Sequence, residues 1–539
     1  MRPQTSKPKH YDSFERSGFE LVGGKPIQER FSRKLAMSGI APSPAGLPDP
    51  AGTKVIAPGK RLHGSRLSLR LVVGIASLAV AGCAIPRADP PAMASAQPIP
   101  SQWVLAEPAG TAVPLDRYWL LLGDPLVDEF VARAQTENLD LAQAVTRLRA
   151  ARAGLRQARA ARVPTINGSG SARRDVGDLA SDDVQFSLGA DAAWEADLFG
   201  RIDAGVDAAR GDLRAAGYSL GDLERVIVAQ VASQTVTARS LAAQLAIARE
   251  TLANQEDNLQ IARWRNQAGL VSALDVEQAR TQRAQTAASI PQLESNLVAV
   301  ANAISTLIGE PPGRVYRALT EAPRAVPAPP ADIALAAPAD TLRRRPDVSA
   351  AEARLAADLD RVGVARAQLY PLARLSGTIG TSATDVGDLF DLVTGNVFAS
   401  LSQLIFDGGR ARGQIESAQA IADGSLADWR KSILVALEEV ESSAVELDTS
   451  AAQVTQLIEA NEGAQNAALL ARSQYQAGLI DFQRLLVTES QLLSTRNAQV
   501  NAEAARALAF ISLARALGGG WSVPEGAGLE DTTAKGPAK

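Results

Sequence analysis

Residues 184–195 read VQFSLGADAAWE, and apolar side chains alternate there with mostly polar ones. The apolar positions are Val184, Phe186, Leu188, Ala190, Ala192 and Trp194. An alternation of period two predicts a β-strand with one apolar face. Such a strand fits the wall of a membrane barrel, with lipid on one side and water on the other. It fits equally well a half-buried strand of a soluble sheet.

The sequence around this strand belongs to a repeat. The pentapeptide Asp-Val-Gly-Asp-Leu occurs at 175–179 and recurs unchanged at 385–389. Further matches keep the same order, and all shifts are 207 to 210 residues. They are Ala158-Arg159 and Pro164 with Ala365-Arg366 and Pro371, Leu198-Phe199-Gly200-Arg201 with Ile405-Phe406 and Gly409-Arg410, Gln267-Ala268-Gly269-Leu270-Val271 with Gln476-Ala477-Gly478-Leu479-Ile480, and Leu307-Ile308-Gly309 with Ala516-Leu517-Gly518. We therefore expect a duplicated fold, with repeat 1 over 124–312, an extended Pro/Ala-rich linker over 313–339 and repeat 2 over 340–521.

Each repeat is predicted to contain a first helix, a β-hairpin, a very long helix, a glycine break and a return helix. The predicted helices cover about 125–162, 200–267 and 272–308 in repeat 1, and 340–369, 409–476 and 481–517 in repeat 2. The predicted strands are 184–195 with a partner beginning near Ile166, and about 372–381 and 396–406. The two pentapeptides fall in the loops that join the strands.

The helices carry apolar residues at alternating steps of three and four. One such series is Ile290, Leu293, Leu297, Val300, Ile304 and Leu307. A period of 3.5 residues is typical of left-handed coiled-coil packing. At 1.5 Å per residue, each long helix would extend roughly 100 Å, which exceeds a compact domain. A plain coiled-coil rod would show the same apolar spacing.

The number of strands implies that several chains assemble. Four strands cannot close a barrel around a passage, and open sheet edges are not tolerated in lipid. If these strands enter a membrane, the chain must therefore form an oligomer. A lipid-anchored periplasmic adaptor or coiled-coil scaffold is the alternative, but it does not explain the duplicated strands.

The N-terminal region predicts export and a lipid anchor. Three arginines precede a short apolar run, 71–80, and small residues then lead to Cys83, the only cysteine. This pattern predicts a lipoprotein signal peptide over 61–82 and an acylated Cys83. The alternative is a signal anchor with an incidental cysteine. Ala84 follows the cysteine and favours the outer membrane. We further expect a disordered extension or a misassigned start over 1–60, a lipidated N-terminal segment over 83–123 and a disordered tail over 522–539.

Composition excludes several kinds of chemistry. Both histidines, His10 and His63, precede the expected cleavage point. The mature chain would therefore lack Cys/His zinc sites and Ser-His-Asp or Cys-His catalytic groups. We expect no catalytic residue, metal or cofactor, and hence no enzyme. Residues 1–82 hold 13 Lys/Arg and 5 Asp/Glu, a charge of +8. Because the whole chain has a net charge of −4, the residues after 82 carry −12. An acidic mature chain argues against nucleic-acid binding.

The ordered motifs resemble the outer-membrane factor family, the TolC-like proteins and especially their lipidated OprM/NodT branch. The resemblance covers about 115–521. Its motifs are Gly123-Asp124-Pro125, Asn138 through Leu141, Ala151-Arg152-Ala153 through Pro164-Thr165, Trp194 through Arg201, Arg344-Arg345-Pro346-Asp347-Val348 with Ala351-Glu352, and Ala516-Leu517-Gly518-Gly519-Gly520-Trp521.

This resemblance implies a mainly α-helical protein with membrane β-structure, a duplicated TolC-like fold. It implies a homotrimer with a twelve-stranded barrel, continued by a long α-helical barrel in the periplasm. The implied function is an outer-membrane channel subunit of a tripartite efflux system. Such a duct is passive and releases drugs, toxic solutes or metals. The implied partners are a periplasmic adaptor, an inner-membrane pump of the RND type, and outer-membrane lipid through acylated Cys83.

The resemblance also implies positions for a gate and for adaptor contacts. The glycine breaks mark the hairpin tips, so Gly269-Leu270 and Gly478-Leu479 are candidates for contact with the adaptor. Each glycine also fits a simple helix turn. Asp275 and Tyr475 align with residues that hold the entrance of TolC-like channels closed. Asp481 and Arg484 are further gate candidates. The sequence departs from the family at Val487, where many members carry Asp, and at Arg484, where an acidic residue is usual, so Asp481 and Glu489 are alternative sources of charge.

Overall fold

The computed structural model describes residues 89–105, 114–177, 183–330 and 333–522. The chain divides into two units, Met1–Arg70 and Leu71–Lys539, and every described residue belongs to the second. The expectations for 1–60, 61–82, Cys83 and nearly all of 522–539 lie outside the described residues.

The predicted order of a helix, a β-hairpin, a long helix and a return helix occurs twice in the chain. The first series is α1 (Met93–Ala96), a 3-10 segment (Leu115–Leu122), α2 (Pro125–Glu137), α3 (Leu139–Ala160), β1 (Thr165–Arg174), β2 (Val184–Ala196), α4 (Arg201–Gln267) and α5 (Ala273–Leu307). The second is α6 (Arg314–Glu321), α7 (Pro338–Arg344), α8 (Pro346–Ala367), β3 (Leu372–Ala383), β4 (Val393–Ser402), α9 (Arg410–Gln476) and α10 (Phe482–Ala516). Matching helices have equal lengths: 22 residues for α3 and α8, 67 for α4 and α9, and 35 for α5 and α10.

The first helix of each repeat is broken, where the sequence predicted continuous helices over 125–162 and 340–369. In repeat 1, Asn138 has ψ 128° and its side chain accepts hydrogen bonds from the amides of the next turn. It therefore caps α3 instead of continuing α2. In repeat 2, Arg345 has ψ 122° because it precedes Pro346, which disfavours the helical conformation of the residue before it.

The linker also differs from the extended connection that the sequence predicted. Residues 314–321 form α6, and Val315 and Leu319 are fully buried. These two side chains are four positions apart, so one helical face carries both into the core. The described residues that follow, 323–330, form neither helix nor strand.

The four described strands form one antiparallel sheet in the order β1-β2-β3-β4. β2 lies between β1 and β3, and Ala192 pairs with Ile166 on one side and with Gly377 on the other. The sheet therefore joins the hairpins of the two repeats and leaves β1 and β4 as its edges. The pentapeptide at 385–389 lies in the β3–β4 loop, as predicted.

β4 ends earlier than the predicted 396–406. The last pair of the β3–β4 ladder is Leu372 with Ser402. Pro371 precedes Leu372 and cannot donate a backbone hydrogen bond, so the ladder stops there. Ile405 and Phe406 consequently lie beyond the strand, and they are 88% and 87% exposed.

The helices form a wall with the same lateral order as the strands. α4 packs against α3 and α5 on one side and against α8 and α10 on the other, and α9 lies beyond α8 and α10. One flank of the chain therefore carries β1, α3 and α5, and the opposite flank carries β4 and α9. Within the described ranges, no helix is both long and apolar enough to cross a membrane.

The largest apolar core lies where the 3-10 segment meets the middle of this wall. Tyr118, Phe130 and Phe510 are fully buried there. The amide of Gly520 donates to the Leu115 carbonyl at 2.9 Å, so the chain's last described turn is fixed to the first core segment. This core holds the two repeats to each other.

Candidate functional site

The sheet separates its side chains into two faces, the first of which is polar. The register places Asn167 beside Asp191, and Asp191 beside Thr378. Asn167 Nδ2 donates to Asp191 Oδ2 at 3.1 Å, and the Ser171 and Ser187 hydroxyls are 2.8 Å apart. Cross-strand polar pairs thus run across the hairpin on a single side. This face is suited to contact with water.

The opposite face of the sheet is apolar and uncovered. Phe186 and Trp194 on this face are partly buried, but six other apolar side chains are between 43% and 79% exposed. They are Ile166, Leu188, Leu375, Ile379, Val397 and Leu401. An uncovered apolar band of this extent marks a surface that meets lipid or another protein. One polar and one apolar face together are what a membrane wall requires.

At the far end of the helices, the two hairpin turns have the same geometry. Gly269 and Gly478 have φ of +70° and +75°, a left-handed conformation that glycine adopts without strain. The amides of Leu270 and Leu479 donate back to carbonyls five residues earlier, at 2.8 and 2.9 Å. Each turn is therefore a Schellman motif that ends a long helix. The two leucines project at the tips and are 74% and 75% exposed.

The return helices begin differently in the two repeats. Asp275 Oδ2 accepts from the Ser272 amide at 3.1 Å, and Ser272 Oγ accepts from the Asp275 amide at 3.3 Å. This reciprocal capping box starts α5. In the second repeat, Asp481 Oδ1 accepts from the Arg484 amide at 2.7 Å and starts α10. Asp481 and Arg484 stand 209 positions after Ser272 and Asp275, so the cap is kept while the acidic side chain is replaced by an arginine.

Tyr475 is buried between the hairpins. Its ring lies 5.4 Å from that of Phe482, and the Arg265 guanidinium lies 4.5 Å from its centre. Arg265 also donates to the Tyr475 and Gln476 carbonyls at 3.0 and 2.9 Å. The last turn of α4 therefore caps the last turn of α9. Arg265 was not among the predicted site residues, because its partners lie 210 and 211 residues away.

The Tyr475 hydroxyl is buried without a hydrogen-bond partner in the described chain. No hydrogen bond or ion pair joins it to Asp275 there.

The Glu489 carboxylate, by contrast, has partners: it accepts hydrogen bonds from Arg472 at 2.8 Å and from Asn258 at 2.8 and 2.9 Å. Its charge is therefore balanced within the chain. Val487 is exposed and, with Leu274 and Leu486 among others, lines a groove of about 450 Å³ between α5 and α10.

The fold and these surfaces define a class of protein: a duplicated channel-wall protein with two long helical hairpins below a membrane sheet. A family model described as outer membrane efflux protein matches residues 131–310 and 337–519. The pyoverdine export outer membrane protein OpmQ of Pseudomonas aeruginosa is 34% identical, over 78% of this chain and 91% of its own. Nodulation protein T of Rhizobium leguminosarum is 29% identical, over 84% and 98%. The solved outer-membrane channel OprN is 30% identical, with a TM-score of 0.70 over 81% of this chain and 98% of its own.

The chain belongs to the outer membrane efflux protein family. It has the duplicated TolC-like channel fold, lies in the outer membrane, and serves as an efflux channel protein. The family, fold class, function and location predicted from the sequence are thereby confirmed. The roles assigned to individual tip residues remain predictions.

Proposed function

We propose that three copies of this chain close into one passive duct through the outer membrane. The observation that carries this proposal is the four-stranded sheet with free edges on opposite flanks. Because β1 and β4 are different strands, one copy's β4 edge can pair with the next copy's β1 edge in a head-to-tail ring. Three copies of four strands give twelve and leave no edge open to lipid. The proposal contains no catalytic step and no cofactor.

The duct is proposed to serve a tripartite system. An inner-membrane pump of the RND type supplies the energy, a periplasmic adaptor joins pump and duct, and small molecules leave through the polar interior. Related proteins carry names for different cargoes, namely pyoverdine export, toluene efflux and cation efflux. This variety supports a permissive duct interior. The pump, and not the duct, would then select which drugs, toxic solutes or metals are exported.

The domain organisation is part of this proposal. We place repeat 1 at 124–312 and repeat 2 at 340–521, joined by the linker at 313–339. Ahead of them, a signal peptide at 61–82 is removed, and acylated Cys83 anchors the segment 83–123 in outer-membrane lipid. The exposed tip pairs Gly269-Leu270 and Gly478-Leu479 are the proposed contacts with the adaptor; two leucines that project into water on rigid turns are suited to an apolar partner surface.

The gate is proposed to lie at the same tips. Tyr475 offers a buried hydroxyl that lacks a partner within the described chain, and Asp275 offers a carboxylate on the neighbouring hairpin. A bond between them across the entrance would restrain its opening. Asp481 and Arg484 begin the second return helix and place both signs of charge beside the opening.

Conductance in planar bilayers tests this gate. Asp275→Ala and Tyr475→Phe are expected to raise single-channel conductance above that of the parent, because each removes one partner of the restraint. Asp275→Ala also breaks the capping box, so Ser272→Ala is the matched control: it weakens the same cap and keeps the carboxylate. If Ser272→Ala opens the channel as far as Asp275→Ala does, helix capping explains the effect and the gate proposal is wrong.

Dye accumulation in cells tests the duct itself. A strain lacking this chain is expected to accumulate a fluorescent efflux substrate, and the parent sequence is expected to restore low accumulation. Cys83→Ser is a useful comparison, since it removes the proposed anchor and leaves the described fold untouched. Equal accumulation with and without the chain, across substrates of several chemical classes, would contradict the proposed function.

A further inference from the structure

Two helices of the wall carry further segments of the chain. On α4, the last described turn covers Gly221, where an added Cβ would lie 2.6 Å from the Trp521 ring. On α9, the amides of Val104 and Leu105 donate to the Glu441 carboxylate, so the N-terminal segment also packs on the wall. We call the side of the wall that bears these segments the covered face.

A cavity of about 710 Å³ lies on the opposite side of the wall, which we call the open face. Ser219 and Leu223 line this cavity, and each lies about 160° around α4 from Gly221. Ser425 also lines it, and it lies about 160° around α9 from Glu441. Both helices therefore place the covering segments on one side and the cavity on the other.

In the proposed duct, the open face lines the passage. Segments that cover the wall would fill the passage if they lay inside the ring, so the covered face is the outer one. The N-terminal segment on that face also leads back along the chain toward Cys83, whose proposed lipid must leave the ring outward to reach the membrane. The cavity therefore faces the solutes that move through the duct, and it begins about three turns of α4 from the sheet.

The charged side chains that line the cavity are three arginines and three aspartates. They are Arg147, Asp212, Asp222, Arg354, Asp358 and Arg361. Arg361 donates to Asp212 and to Asp358, each at 2.6 Å. Asp222 accepts from the buried Arg225 at 2.6 Å. Each aspartate of the cavity therefore already bonds an arginine.

The other two arginines of the cavity have no carboxylate partner. Within the described ranges, Arg354 Nη2 donates to Ser219 Oγ at 2.8 Å, and Arg147 forms no hydrogen bond or ion pair. The two arginines are 207 positions apart, which is also the shift between α3 and α8, so they occupy equivalent places in the two repeats. Both are exposed. The cavity thus presents two guanidinium groups to the passage without an acid beside them.

We propose that this cavity binds the carboxylate of solutes that pass through the duct. The planar guanidinium of Arg354 can donate two parallel hydrogen bonds to one carboxylate. Leu220, Leu223 and Val226 line the same cavity and would contact an apolar part of the same solute. Arg354 is the principal residue, because helices of its own chain flank α8 on both sides, and Arg147 adds charge from α3. The inference rests on the proposed duct and names a class of cargo that its wall favours.

Binding in this cavity is weak, as a passage requires. Both arginines are exposed, so water competes for their hydrogen bonds and dissolved salt screens their charge. The cavity therefore lengthens the stay of carboxylate-bearing solutes and leaves the duct open to others. A positive site on the wall also raises the local concentration of anions, so it affects which ions the duct conducts.

Reversal potentials in planar bilayers under a KCl gradient test the charge of the cavity. Arg354→Gln is expected to lower the ratio of chloride to potassium permeability about twofold, since in water a unit charge attracts an ion across several ångströms with an energy near RT. Adding Arg147→Gln is expected to lower this ratio further. Arg149→Gln is the matched control, because it removes the same charge from α3 about 200° around the helix from Arg147. Equal permeability ratios in Arg354→Gln and Arg149→Gln would overturn the inference, while conducting pores would leave the duct standing.

Current noise in the presence of phenylbutyrate tests the carboxylate itself, with phenylbutyramide as the uncharged probe of similar shape. The parent duct is expected to show added noise with the carboxylate and none with the amide, and Arg354→Gln is expected to lose it. Arg354→Lys keeps the charge without the planar guanidinium, so it should retain the permeability ratio and weaken the noise. Noise that is equal for the two probes, absent from the parent or unchanged in Arg354→Gln would show that the carboxylate site is wrong. If the parent protein forms no conducting pore, the duct and the inference both fail.

Discussion

Arg345→Met is expected to lower the free energy of unfolding by about 3 kcal/mol, the lower end of the cost of removing one partner from a buried ion pair. The Arg345 side chain is 1% exposed and bonds Asp347 at 2.6 and 3.0 Å and Glu439 at 2.6 Å. It also donates to the Ala516 carbonyl at 2.9 Å, at the end of α10. Its loss leaves Asp347 and Glu439 with only longer ion pairs, to Arg225 at 3.6 Å and to Arg515 at 3.5 Å, and it removes the donor at the end of α10. Denaturant unfolding followed by circular dichroism measures the effect.

Arg343→Met is the matched control for this variant. Its ion pair with Asp340 is solvated, with side chains 72% and 66% exposed, so its loss should leave the free energy of unfolding nearly unchanged.

The pH dependence of the free energy of unfolding gives a second check. Burial alone would raise the pKa of Asp347, but the Arg345 guanidinium bonds its carboxylate and holds the pKa below the ordinary 3.8. This stabilisation is complete above the ordinary pKa and is lost as pH falls through the lowered one. The parent's advantage over Arg345→Met should therefore narrow in acid; a constant difference down to pH values well below 3.8 would contradict the assignment.

Gly309→Ala is expected to be the most damaging glycine substitution, with a loss of about 3 kcal/mol from combined strain and overpacking. Gly309 has φ +71°, and an added Cβ would lie 2.5 Å from the Glu137 carbonyl oxygen. Backbone must move to admit it, at the point where the end of α5 meets the end of α2. Thermal unfolding of the purified protein, with the yield of detergent-resistant oligomer, measures the loss.

Gly269→Ala separates the two causes. Gly269 has nearly the same φ, +70°, but nothing lies within 4 Å of an added Cβ. Only the left-handed backbone penalty applies there, about 1 kcal/mol. If both variants lose the same stability, the close contact at Gly309 has no energetic weight and the packing of α2 on α5 needs revision.

The regular parts of this fold could be read from the sequence because local signals fix them. The long helices end within one residue of their predicted ends, since Gly269 and Gly478 are the positions that need positive φ. The breaks at Asn138 and Arg345 were missed because helical spacing continues through them, and the capping and proline effects act on one residue. The end of β4 was not predicted, because β4 ends where β3 has no further residue to pair with it.

At the hairpin tips too, features set by neighbouring residues could be predicted, and contacts between distant residues could not. The turn glycines were predicted, since a helix stop depends on neighbours within one turn. Asp275 and Asp481 were named only as gate candidates, and the structure shows that each of them also caps a return helix. The bonds of Arg265 to the end of α9, and of Asn258 to Glu489, join the two repeats across 210 and 231 residues. No local pattern encodes such contacts, so only the folded chain shows that the hairpin tips are fastened to each other.

Native mass spectrometry of the full-length protein released from the outer membrane tests the central claim most directly. One chain supplies four described strands, two free edges and one third of the proposed barrel. We expect particles that contain three copies, each carrying the added mass of its lipid anchor. Particles that contain a single copy, from a preparation that remains folded by circular dichroism, would contradict the account.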